Sequence, residues 1–130
     1  NMDNFCAQLQ AHFDDMVANG REVIVNLRIF DNGSGMSFED EFDGVELSEI
    51  IDDWMAQNTV SHRYSLLDAT EDYMSFEQVR IPLYRNNDIP MDTRHFVTLL
   101  RNFLKKAPYN IPSKLVTKGL GRAELILGEK

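Results

Sequence analysis

The chain has 130 residues, 43% of them hydrophobic and 26% charged. That is enough for one domain with a core of its own, and it excludes a disordered chain or one needing covalent staples. The lack of an apolar run near ~18 residues excludes a membrane-spanning helix, and the net charge is −8, the acidic part of the chain arguing against direct contact with a nucleic-acid backbone there.

Charge is unevenly spread. Residues 1–60 hold 13 acids against two bases, a net −11, whereas residues 61–130 hold eight acids against eleven bases, a net +3. No Pro/Gly/Ser-rich linker separates the halves, so the sequence predicts a single domain over residues 2–130. Asn1 ahead of Met2 reads as a non-native addition. The first residues lack the basic n-region of a secretory signal, and the lone Cys6 suits a reducing compartment, so the expected location is cytoplasmic. Cys6 reads as a buried, inert thiol.

Phe5, Leu9, Phe13, Met16 and Val17 recur at helical spacing, which predicts a first helix capped by Asp3 or Asn4 and stopped at Asn19-Gly20. Glu22–Phe30 follows as a strand with Val23, Val25, Leu27 and Ile29 on one face. The other face carries Asn26 and Arg28 with Ile24 and Phe30, which suits a strand covered on both sides. Asp31–Gly35 is turn chemistry, and Met36–Phe42 is the expected return strand.

Asp43 then reads as the N-cap of a second helix, with Glu46 completing a capping-box-like pair. Leu47, Ile50, Ile51, Trp54 and Met55 form its buried face, and Asn58 ends it. Val60–Leu67 and Tyr73–Tyr84 read as a hairpin around residues 68–72. Asp92 caps a third helix whose stripe is Phe96, Leu99, Leu100, Phe103 and Leu104, with Lys105 and Lys106 at its C-terminal end and Pro108 as a stop. A short helical turn over Pro112–Lys118 and a strand over Gly121–Leu127 complete the order α-β-(β)-α-β-β-α-β. The predicted class is α+β, a mostly antiparallel sheet of four or five strands with three helices packed on it.

Two stretches hold candidate chemistry. Asp31-Asn32-Gly33-Ser34-Gly35-Met36 resembles the Asp-x-Gly-x-Gly box of the ATPase fold shared by gyrase, histidine kinases and mismatch-repair ATPases. The resemblance implies that Asp31 would take the adenine amino group, while Gly33 and Gly35 let backbone pass close to a nucleotide. That family also carries a helix with Glu and a Mg²⁺-binding Asn well upstream, and the first helix here has no Glu. A plain turn is the leading reading of these six residues.

The second stretch is the acidic run. Glu39, Asp40, Glu41, Asp43, Glu46, Glu49, Asp52 and Asp53 place eight acids in 15 residues without one base. A solvated helix face, a docking surface for Lys/Arg, and a metal site compete for it. The spacing does not follow EF-hand ligand order, so metal ranks last. The three histidines sit in no zinc-like spacing. Arg94, Arg101, Lys105, Lys106, Lys114 and Lys118 gather around the third helix, suited to pairing with the acidic half of the same or another copy.

The reading that follows is a small, non-enzymatic interaction or regulatory domain, of the kind seen in inhibitors, immunity proteins and anti-defence factors. It uses no cofactor or metal. Glu39, Asp40, Glu41, Asp43, Glu46, Glu49 and Asp53 would engage a basic protein surface, such as that of a nucleic-acid-binding protein. The acidic half itself would contact neither nucleic acid nor membrane. An ATP-binding domain using Asp31, Gly33 and Gly35, and a homo-oligomer subunit held by acidic-to-basic contacts, are the alternatives.

Overall fold

A computed structural model of the chain describes residues 18–85 and 88–129. The predicted first helix, with Phe5, Leu9 and Phe13, lies outside the described residues, as do Cys6 and His12.

The central element is β1 (Arg21–Ile29), third of five strands in a sheet. After it come a short β2 (Glu41–Phe42), β3 (Val45–Glu46) and α1 (Leu47–Asn58). A 3-10 turn over Val60–His62 leads to β4 (Ser65–Ala69) and β5 (Tyr73–Ile81). The chain ends with α2 (Thr93–Lys105), β6 (Ser113–Thr117) and β7 (Arg122–Leu127). The sheet runs β4-β5-β1-β7-β6, and β2 and β3 form a separate two-stranded hairpin. The class is α+β, as expected, with two helices among the described residues.

The sheet is mixed. β1 pairs antiparallel with β5 but parallel with β7, Val25 lying beside Ala123 and Leu27 beside Leu125. The parallel pair arises because β7 enters from the same end as β1, where the Ile24 N–H donates to the Gly121 carbonyl at 2.8 Å. Strict alternation in β1 buries Val23, Val25 and Leu27 on one face. Burying each such side chain contributes about 1.5–3 kcal/mol. Leu47, Ile51 and Met55 of α1, and Phe96, Val97, Leu100 and Leu104 of α2, join them in one core. The opposite sheet face is polar at its centre: Arg28 pairs with Glu124 at 3.0 Å, and Ser75 donates to Asn26 at 2.9 Å.

The structure corrects several local expectations. In β5 the buried residues are Met74 and Phe76, then Val79 and Ile81, so parity changes mid-strand. The cause is a bulge opposite β1 between Val23 and Val25, with Gln78 at φ 51°. Leu99 of the predicted stripe is exposed, and Val97 takes a core position. Residues 113–117 form an edge strand on β7, not a helical turn, with Leu115 opposite Leu125. The Asp92 cap is present: its carboxylate accepts from the His95 N–H at 2.6 Å.

Candidate functional site

The acidic run begins on a turn. The Asp40 carboxylate accepts from the Ser37 N–H at 3.0 Å, and Phe38 is driven fully into the core. Phe42-Asp43-Gly44-Val45 then closes β2 onto β3. Asp43 (φ 55°) and Gly44 (φ 82°) both take the left-handed conformation that a two-residue hairpin turn requires. Asp43 is therefore a turn residue, and the predicted N-cap is corrected: Glu46 holds that position and makes no side-chain capping bond. The expected strand over residues 36–42 shrinks to Glu41–Phe42, because its partner β3 ends at Glu46 where α1 begins, which leaves only two pairs. The hairpin is fastened by the Leu47 N–H to the Asp40 carbonyl at 2.8 Å and the Ser48 N–H to the Phe38 carbonyl at 2.9 Å.

Glu39, Asp40, Glu41, Asp43, Glu46, Glu49 and Asp53 are all exposed. None of them forms an ion pair among the described residues. Asp52 differs. It is half-buried and its carboxylate accepts from the Tyr64 hydroxyl at 2.6 Å. Burial, then that hydrogen bond and the negative charges of Asp52 and Asp53, hold the Tyr64 hydroxyl protonated well above the usual tyrosine range.

What the sequence did not show is the surface that two of these acids, Asp43 and Asp53, border. A groove of about 450 Å³ opens between the hairpin, α1 and the turn after α2. Phe42, Trp54, Phe103 and Tyr109 line it, and so do Asp43 and Asp53. Tyr109 meets Phe42 edge-on at 5.2 Å and Phe103 at 5.2 Å, while Trp54 lies 6.4 Å from Phe103. The turn that presents Tyr109 is held by the N–H groups of Tyr109 and Asn110, each 3.0 Å from the Lys106 carbonyl. Ile111 anchors it in the core, its N–H 2.9 Å from the Leu104 carbonyl. Among the described residues no Lys or Arg lines the groove.

The family model of a domain of unknown function, DUF6175, matches residues 21–128. The chain belongs to that family. The match runs from the first residue of β1 to just past β7, so the DUF6175 domain takes in the whole sheet, both described helices and the groove. No curated protein and no solved structure matches the chain.

The loop with Asp31, Gly33 and Gly35 lies elsewhere on this DUF6175 domain, at the C-terminal end of β1. Its turns are local: the Ser34 N–H donates to the Asn32 side chain at 3.0 Å, and the Met36 N–H to the Ser34 hydroxyl at 3.2 Å. Gly33 and Gly35 sit at φ 74° and 75°. A cleft of about 600 Å³ runs along this loop, larger than the aromatic groove but walled mainly by polar loop. Asp31, Glu71 and Asp72 line it with no base, so a polyphosphate there would meet like charge. Among the described residues no group of three or more His, Cys, Asp or Glu is placed to share a metal ion, and no helix is long and apolar enough to cross a membrane.

Proposed function

We propose that this domain is a cytoplasmic interaction module that binds a basic segment of a protein partner across the acidic rim and into the aromatic groove. The observation that carries the reading is a groove lined by four aromatic rings and by Asp43 and Asp53, two of seven exposed acids that form no ion pair among the described residues. Aromatic side chains give binding surfaces much of their energy, whereas rim charges mainly steer encounter and select the partner. The same charges repel a nucleic-acid backbone, so a basic protein, including one that itself binds nucleic acid, is the fitting partner class.

The test is stopped-flow association with a defined probe, a 12-residue peptide alternating Arg/Lys with Leu, against the same peptide with Glu in place of its bases. The basic peptide is expected to bind, with an association rate that falls as salt shortens the screening length toward ~8 Å and below. Glu46→Lys/Glu49→Lys/Asp53→Lys is expected to slow it by at least about tenfold at low salt. Equal rates for the triple variant and wild type would reduce the acidic run to a solvated face.

A further inference from the structure

We propose that the groove is a receptor for an arginine side chain of that basic partner, stacked on the rings of Phe42, Phe103 and Tyr109 and held by Asp43 and Asp53. The inference rests on the interaction-module reading and names the group that fills the groove.

The lining decides between kinds of occupant. Phe42, Phe103 and Tyr109 are half-buried, so each leaves ring surface toward the opening, while Trp54 is 8% exposed and forms the floor. The near-perpendicular Phe42 and Tyr109 rings, 78° apart, set two walls rather than one flat patch. Ring faces carry negative potential, and Asp43 and Asp53, from different elements, add to it with no base among the described lining residues. A neutral apolar side chain would cover those carboxylates and give them no donor in exchange for water. A quaternary ammonium would satisfy the rings but has no N–H for the aspartates. A lysine ammonium has donors but is compact, strongly hydrated and poorly shaped for stacking. A guanidinium is planar, weakly hydrated and carries five donors, so it stacks and donates in the same pose. A volume of about 450 Å³ holds such a side chain with the main chain either side of it.

Trp54 is the chain's one tryptophan and lines the groove, so its fluorescence reports occupancy directly. The probes are four capped peptides, Gly-Ser-Gly-X-Gly-Ser-Gly, with X as Arg, Lys, citrulline or norleucine, titrated to about 10 mM, where a single weak contact is still visible. The Arg peptide is expected to bind tightest, Lys about fivefold weaker, and the two neutral peptides weaker again. Tyr109→Leu and Asp53→Asn should each weaken the Arg peptide by about fivefold, with Tyr109→Phe close to wild type. Thermal melts identify any variant that fails to fold, and the peptide series on the wild-type protein stands without the variants. Norleucine or citrulline binding as well as Arg, or no saturable response to Arg, would overturn the proposal. The two readings separate cleanly. If the basic 12-residue peptide binds in a charge-dependent way that Tyr109→Leu leaves unchanged, binding of a basic partner by the acidic rim stands and the arginine receptor in the groove falls. If that peptide does not bind at all, both fall.

Discussion

Glu41 stands directly opposite Glu46 across the β2–β3 hairpin, two carboxylates in register with no base paired to either among the described residues. Like charges in facing positions of an antiparallel pair are destabilising, by roughly 0.2–1 kcal/mol. Glu41 and Glu46 alternate with the groove-lining Phe42 and Val45, so this repulsion sits on the other face of the short hairpin.

Glu41→Lys turns that repulsion into attraction. The variant is expected to be more stable than wild type by about 0.5–1 kcal/mol, read as a higher urea midpoint at unchanged slope. It should also bind the basic 12-residue peptide more weakly. Glu41 is the cleaner partner to change, because Glu46 occupies the N-cap of α1 and accepts from the Ser48 hydroxyl. A drop in stability would mean that Glu41 has a favourable role its geometry does not reveal.

The Asp31–Met36 loop is expected to behave as a turn. Asp31 is exposed and makes no side-chain hydrogen bond or ion pair among the described residues, so Asp31→Asn should shift stability by no more than about 0.5 kcal/mol. ATP with Mg²⁺ should leave the melting temperature unchanged. A nucleotide present at 100 times its Kd would add ~2.7 kcal/mol, a shift too large to miss. A rise abolished by Asp31→Asn would move the nucleotide reading ahead of the interaction module.

The glycines separate two physical effects. Gly20 (φ +81°) leads into β1, and a Cβ there would lie 2.4 Å from the Ile81 carbonyl oxygen and 2.9 Å from a Val60 methyl. Gly33 (φ +74°) has open space around it. Gly33→Ala should therefore cost about 1 kcal/mol, from backbone strain alone. Gly20→Ala adds a clash with main chain and should cost at least ~2 kcal/mol more, measured by chemical denaturation. Similar losses at both sites would show that the chain at Gly20 moves aside freely.

How much of this was legible depends on the range of the interaction. β1 and the Asp92-capped α2 follow from local periodicity and capping, and the structure has them there; α1 keeps its predicted buried face but starts at Leu47, three residues later than an Asp43 cap would put it. The parallel pairing of β1 with β7 is set between residues about a hundred positions apart, which no local pattern records. The β5 bulge at Gln78 needs a non-glycine residue in a left-handed conformation, for which the sequence holds no cue. Asp43 fitted two rules at once, Asp-x-x-Glu at a helix start and Asp-Gly in a hairpin, and closure of β2 onto β3 decided between them. The acids of the candidate site could be counted from the sequence. The groove beside them could not, since Phe42, Trp54, Phe103 and Tyr109 come from four separate parts of the chain. Phe103 read as plain core, and Tyr109, past the Pro108 stop, fell outside every predicted element.

The last prediction is a pH dependence at alkaline values. The Tyr64 hydroxyl donates to the Asp52 carboxylate at 2.6 Å and to its main-chain carbonyl at 3.1 Å, tying the start of β4 to α1. Its folded pKa is raised above the ordinary value of 10.0, by burial first and then by Asp52 and Asp53. Because the raised value belongs to the folded state, the neutral phenol's contribution is fully present below ~10 and is lost as pH climbs from there through the folded value. In that window the unfolded chain has released its proton and the folded chain has not, so stability must fall as pH rises. Tyr64→Phe removes the titrating group. At pH 7 it should cost about 1 kcal/mol, the hydrogen bond to a carboxylate discounted for partial exposure. Between about pH 9.5 and 11.5 its urea midpoint should decline less steeply than that of wild type, and the two curves should converge. Parallel curves across that range would mean that Asp52 holds the Tyr64 phenol no more tightly than water does.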